Sequence, residues 1–198
     1  MSEINFENTK TAFKVRSNRE LRRAQWMLRL ISNPGLVKFG NFIIKLMAGA
    51  GLPVNWIVKP TVYKLFVGGE TLHDCIPVID KIGKEDVKSI LDYSVEGKEE
   101  DEDIDLALEE TLAAIDFAGK NENIPFAVFK PTGFIRSSSL EKLSSDENDL
   151  PGEVQADGNK FCDRVHKLCS RAYNYKVPIL IDAEDTFYQN FIDQVVYE

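Results

Sequence analysis

The chain has 198 residues, 43% of them hydrophobic, and a formal net charge of −8. That length and apolar content suffice for one folded domain with a sizeable core, which excludes wholesale disorder. The acidic balance excludes a general nucleic-acid binder, which needs a basic face.

Much of the acidity is local: Glu99, Glu100, Asp101, Glu102, Asp103 and Asp105 form one block, and a second lies at 146–149. Such blocks read as solvated loops. The cysteines, Cys75, Cys162 and Cys169, are odd in number and lack C-x-x-C spacing, which argues against a disulfide framework or a zinc site. The reducing cytoplasm is the expected compartment. Cys162 and Cys169 lie seven apart, share a helix face and read as small hydrophobes. The first residues lack the basic-then-apolar order of a secretion signal. The most apolar window, 39–58, contains Lys45, Pro53, Asn55 and three glycines, so it fails as a membrane span.

In chain order, residues 1–70 read as a helical region. Leu21, Ala24, Leu28 and Ile31 recur at helical spacing after a candidate cap at Asn18. Asn33-Pro34 is a helix start, with Leu36, Phe39, Ile43 and Met47 on one face. Beyond the break at 49–53, Lys59-Pro60 divides the apolar run 54–66 into two short pieces. Thr71 and Asp74 have capping-box spacing ahead of Leu72, Ile76 and Ile79, with Pro77 restricted to the first turns or a bend. His73 and His166 have no ligand-spaced partner, so the first reads as a surface residue and the second as structural.

From there strands and helices alternate. Strands are predicted at 89–95, 124–130 and 177–183. Helices are predicted at about 103–119, capped by Asp103, at 161–175, and at the amphipathic run of Phe187, Phe191, Val195 and Val196. The stretch 136–158 reads as a long Ser- and Asp-rich connection, with a short helix at 140–143, that covers a site or is mobile. Three βα units predict a parallel sheet covered on both faces, since the strands are apolar throughout.

The second strand ends in Lys130, followed at once by Pro131 and Gly133. A lone lysine there is ordinarily a snorkelling surface residue. Three successive strands that end in charged groups, with Asp92, Glu96 and Asp182 beside Lys130, point instead to a site at the rim where barrel enzymes carry their chemistry. No GxGxxG, GxxxxGK[ST] or GxSxG occurs, so a nucleotide-binding loop or serine-hydrolase elbow is unsupported.

Four stretches, Phe-Val-Gly-Gly-Glu-Thr (66–71), Ser-Ile-Leu-Asp-Tyr-Ser-Val-Glu-Gly (89–97), Phe-Lys-Pro-Thr-Gly (129–133) and Ile-Asp-Ala-Glu (181–184), resemble the proline dehydrogenases in order and spacing. The resemblance implies a (β/α)8 barrel preceded by helices: a helical region 1–70, then the first half of a TIM-like barrel at 71–198, with its C-terminal half missing. It implies oxidation of L-proline to 1-pyrroline-5-carboxylate, with hydride transfer to FAD and electrons passed to a quinone-type acceptor. A cytoplasmic location, with peripheral attachment to the membrane left open, goes with that acceptor.

By the same resemblance Lys130 holds the substrate carboxylate, Asp182 is the catalytic aspartate beside the flavin, and Ala183 meets the flavin through its backbone. Glu96 pairs with a carboxylate-binding arginine. The family's later arginine, its Gly-rich phosphate segments and its Tyr-x-x-Arg-Arg helix have no counterpart in the sequence. This predicts that the chain alone binds FAD poorly and does not turn over proline. Rival readings are a class I aldolase with Lys130 as Schiff-base nucleophile, a Mg²⁺-dependent barrel using the same carboxylates, and a non-catalytic half-barrel that pairs with another chain or itself through its open edges.

Overall fold

A computed structural model of the chain describes residues 5–145 and 149–197, apart from the side chains of 56, 57, 60 and 62. Residues 1–4, at the start of the supposed non-signal N-terminus, and 146–148, in the second acidic block, lie outside the described residues. The chain divides into two compact units, Met1–Glu85 and Asp86–Glu198.

The first unit is helical: α1 (Thr9–Ala12), α2 (Asn18–Ile31), α3 (Pro34–Gly49), α4 (Asn55–Val58), α5 (Lys64–Phe66) and α6 (Leu72–Gly83). Local chemistry sets the starts. Asn33 accepts from the amides of Gly35 and Leu36 at 3.0 and 3.3 Å, with Pro34 in the first helical position. Thr71 and Asp74 cap α6 reciprocally, and Pro77 sits in its second turn. Pro60 falls in a π-helical turn, Lys59–Tyr63, which joins α4 to α5.

The cap of α2 differs from expectation: Ser17, not Asn18, precedes the helix, and its hydroxyl and amide exchange hydrogen bonds with Glu20. A glutamate three residues on completes the box for Ser17, and Asn18 has none. The Ser17 amide, then its hydroxyl and Lys81, lower the Glu20 pKa from an ordinary 4.5 to about 2. A depressed carboxyl contributes stability that is present above its unfolded pKa and lost as pH falls through the folded one. Fluorescence of Trp26 on α2 is therefore expected to report loosening of this helix between about pH 4.5 and 2. The change is expected to flatten in Glu20→Gln; identical profiles for the two proteins would remove the cap from the account.

The second unit holds β1 (Ile90–Leu91), α7 (Asp101–Ala118), β2 (Phe126–Phe129), α8 (Ser137–Ser144), α9 (Gly152–Tyr175), β3 (Ile179–Ile181) and α10 (Gln189–Tyr197). The three strands form one parallel sheet in the order β1-β2-β3, so the described chain is mostly helical around a small parallel sheet. All three strands are shorter than their apolar runs. A ladder lasts only where both neighbours stay extended, and β1 pairs with β2 through Ile90↔Phe126 and Leu91↔Ala127 alone.

The sheet also differs from expectation in its covering. Ala127 and Phe129 are buried in the half of the unit where α7 packs on β2 and α9 packs on α7, and Ile104, Leu108 and Ile115 of α7 and Phe161, Val165 and Leu168 of α9 are buried as well. The alternate positions, Ile90, Phe126 and Leu180, are exposed. Period-two alternation therefore gives one face covered by helices and one apolar face without cover among the described residues.

Two stretches expected as loops are helical. The acidic block supplies the first turn of α7 with Asp101, Glu102 and Asp103, where the helix dipole favours anions. Glu100 stands in the cap position without a side-chain bond, in place of Asp103. The stretch 136–158 is mostly α8 and the start of α9, linked by a short connection. α10 begins at Gln189, so Phe187 precedes it. Cys162 and Cys169 lie half-buried on α9, and His73 and His166 are both exposed.

Candidate active site

Register builds the site. Phe129 pairs with Ile181, and the Asp182 amide donates to the Phe129 carbonyl at 3.0 Å, so Lys130 and Asp182 end their strands side by side. Both continue the uncovered apolar face, because 126, 128 and 130 alternate with the buried 127 and 129. The Lys130 ammonium lies 2.8 Å from Glu96 and 3.2 Å from Asp182. The lysine side chain is 21% exposed, against 60% for Glu96 and 51% for Asp182, so the cation is sheltered and both anions face solvent.

Glu96 arrives by irregular backbone. The chain leaves β1 after Leu91, and Gly97 next to the glutamate takes a left-handed φ of +61° that side chains other than glycine seldom adopt. A Cβ on Gly133 would stand 2.9 Å from the Val95 carbonyl oxygen, so only glycine lets the turn after Lys130 approach this segment. Asp92, grouped with these carboxylates from sequence, instead accepts from the Ser94 hydroxyl at 3.1 Å. Ala183 is exposed just beyond β3.

Hydrogen bonding to Glu96, then to Asp182, raises the Lys130 pKa well above its ordinary value, outweighing the opposing effect of burial. A Schiff-base lysine needs the reverse shift. Among the described residues, no group of three or more His, Cys, Asp or Glu side chains is placed to hold a metal ion.

Sequence reasoning missed the groups that hold this cluster. Glu184 accepts from the Thr132 amide at 2.7 Å and the Thr132 hydroxyl at 2.6 Å, fixing the turn after Lys130 to the segment carrying Asp182. Arg136 spreads its guanidinium over three partners: both oxygens of Asp157 at 2.9 and 3.0 Å, Asp101 at 2.9 Å and the Glu99 carbonyl at 2.9 Å. Ser138 adds a bond to the Glu99 carboxylate at 3.0 Å. These bonds secure the segment that bears Glu96. The available signal was Arg136 itself, the one arginine of the Ser-rich stretch 136–158 in a chain with an acidic block.

Parallel strands followed by helices, with a cation and two carboxylates gathered at the strand ends, define a βα protein whose candidate chemistry lies on the carboxyl rim. A family model described as proline dehydrogenase matches residues 75–197, and the chain belongs to that family.

The chain is 28% identical over 188 residues to Proline dehydrogenase 1, mitochondrial, of Dictyostelium discoideum, an alignment covering 77% of this chain and 32% of that protein. It is 43% identical over 97 residues to the Caenorhabditis elegans protein of the same name, covering 48% and 16% respectively. It is also 27% identical over 141 residues to Carbapenem antibiotics biosynthesis protein CarD of Pectobacterium carotovorum subsp. carotovorum, covering 69% and 36%. The chain thus spans about a third of the length of the Dictyostelium and Pectobacterium relatives.

Proposed function

We propose that this chain forms part of a proline dehydrogenase active site and that the Lys130 cluster is the place where the carboxylate of L-proline docks. The observation that carries the reading is the sheltered ammonium between Glu96 and Asp182 at the end of an apolar sheet face. A solvent-facing ion pair contributes about 0–1 kcal/mol, so a substrate carboxylate can replace Glu96 on the lysine at little cost. Asp182, still beside the ammonium, then sets the orientation of the bound ring.

FAD would supply the hydride acceptor for the oxidation of L-proline to 1-pyrroline-5-carboxylate, with a quinone-type compound as the further electron acceptor. The residues present suit the ring end of that cofactor: Asp182 as a polar neighbour and the exposed Ala183 backbone as a contact. They do not suit its pyrophosphate, because Arg136 and Lys98, cations of the segments after β2 and β1, are already paired with Asp157 and Asp103.

The same reading takes residues 71–198 as barrel and 1–70 as the helices before it. The uncovered face of Ile90, Phe126 and Leu180 supports it, since the inner face of a barrel is apolar and is buried only by the other strands. That face equally favours a second reading, a half-barrel that pairs with another polypeptide; light scattering of the purified chain separates the two.

The direct test is calorimetric titration with L-proline and with pyrrolidine, which lacks the carboxylate. L-Proline is expected to bind at least roughly ten-fold more tightly, the worth of one charge-assisted hydrogen bond. The purified 198-residue chain is expected to retain little flavin absorbance and to show no sustained proline-dependent dye reduction. Equal affinity for the two ligands would overturn the carboxylate site, and a flavin-loaded, proline-oxidising preparation would overturn the statement about FAD.

A further inference from the structure

Backbone pairing between β2 and β3 stops at the edge of the site. Ala127 lies opposite Ile179 and Phe129 opposite Ile181, and the final backbone bond runs from the Asp182 amide to the Phe129 carbonyl at 3.0 Å. Beyond it Pro131 has no N–H to give. The carbonyls of Lys130 and Pro131 turn back to accept from Gly133 and Phe134 at 3.0 and 2.9 Å. The ladder therefore does not fix how the two strand ends stand, although the Lys130 ammonium and the Asp182 carboxylate face each other there at 3.2 Å.

The register nevertheless continues in a side chain. Thr132 and Glu184 are 52 residues apart, the same offset as Phe129 and Ile181. Glu184 takes the Thr132 amide on one carboxylate oxygen at 2.7 Å and the Thr132 hydroxyl on the other at 2.6 Å. A carboxylate thus stands in for the missing backbone rung, two residues beyond the charged pair on both strands. Thr132 is 4% exposed, and a buried donor left without an acceptor is costly. Among the described residues, no cation pairs with Glu184, and no other hydrogen bond ties the stretch 183–187 to another part of the unit. Two oxygens that meet two donors of a single residue fix its rotation as well as its place.

We infer that Glu184 is a positioning residue for the substrate carboxylate: acting through Thr132, it holds Lys130 and Asp182 at the separation in which the ammonium can receive that carboxylate. The inference rests on the reading of Lys130 as the docking point of L-proline and adds a residue to that site. Both donors to Glu184 are neutral, so its contribution is geometric, and a side chain of the same shape without the charge can take its place. Glutamine meets that condition: its carbonyl accepts from the Thr132 amide, and its amide group donates to the Thr132 hydroxyl oxygen. Alanine offers neither bond.

The test measures L-proline and pyrrolidine affinity by calorimetry in variants of the whole 198-residue chain, beside the nuclear magnetic resonance signal of the Lys130 ammonium nitrogen without ligand. Glu184→Ala is expected to bind L-proline roughly ten-fold more weakly and pyrrolidine within about two-fold of the parent, a split that a general loosening of the fold does not produce. The Lys130 signal is expected to move in Glu184→Ala, and Glu184→Gln to restore both signal and affinity. Thr132→Val, which keeps the side-chain volume and the amide bond, carries the test where Glu184→Ala does not fold; it is expected to lose about three-fold in L-proline affinity, and Thr132→Ser none. A Glu184→Ala protein that keeps the parent's preference for L-proline would overturn the inference, as would a Glu184→Gln protein no better than Glu184→Ala. Equal affinity of the parent for the two ligands would remove the docking reading alone; a Lys130 signal unmoved in Glu184→Ala would remove the positioning role.

Discussion

Replacing Arg136 by methionine is expected to destabilise the 86–198 unit by about 3 kcal/mol, read as a lowered urea midpoint by far-ultraviolet circular dichroism or as faster amide exchange at Ala127 and Phe129. Asp157 is 6% exposed at its side chain, and its oxygens are met by Arg136 and by the Ser139 hydroxyl at 2.6 Å. Without the guanidinium a carboxylate would remain in the interior with one hydroxyl for company, and breaking a buried pair from one side strongly destabilises. Against a typical domain stability of about 5–15 kcal/mol, such a loss is large.

Arg136→Lys is expected to recover only part of the loss, because one ammonium cannot reach Asp157, Asp101 and the Glu99 carbonyl together as a planar fork does. The double variant Arg136→Met/Asp157→Leu is expected to be more stable than Arg136→Met alone, since it leaves no orphaned charge. A single variant within about 1 kcal/mol of the parent would show that the network contributes little beyond its surface members.

Lys130→Met is expected to weaken L-proline binding by roughly ten- to hundred-fold, the range of about 1.5–3 kcal/mol for a hydrogen bond to a charged group. Methionine keeps much of the aliphatic volume, so the effect reports the ammonium and not the packing. Glu96→Gln is expected to leave binding intact or tighten it, because the substrate no longer competes with an anion for the lysine. Loss of affinity in Lys130→Met with none in Glu96→Gln is a pair of results that a general loss of fold cannot produce. Unchanged affinity in Lys130→Met would end the assignment. The raised pKa of Lys130 means the ammonium persists across the neutral range, so no borohydride-trapped adduct with a carbonyl compound is expected there.

Where a feature depends on a few neighbouring residues, it was legible before any coordinates. Asn33-Pro34 and Thr71 with Asp74 start their helices as their spacing implies. The order of three parallel strands with helices between them follows from runs of apolar periodicity. Ser17 takes the cap position from Asn18 because Glu20 lies three residues beyond it, a signal equally local.

Long-range partners left weaker traces. Glu184 and Thr132, 52 residues apart, meet only because β2 and β3 lie side by side. The acidic block looked solvated because nothing within it shows that Arg136, ahead of α8, and Lys160 and Arg164, on α9, will reach Asp101 and Asp105.

Alone, the order of residues determined where two strands end in charge: Lys130 and Asp182 are written at the ends of apolar runs, whereas the strand expected to reach Glu96 stops at Leu91, and hydrophobic periodicity is a local property. Tertiary structure decided which of those charges meet, which sheet face the helices cover, and which buried bonds hold the rim. Those outcomes depend on strand register and helix packing, and pairing at long separation is set by the whole core and not by any short stretch of it.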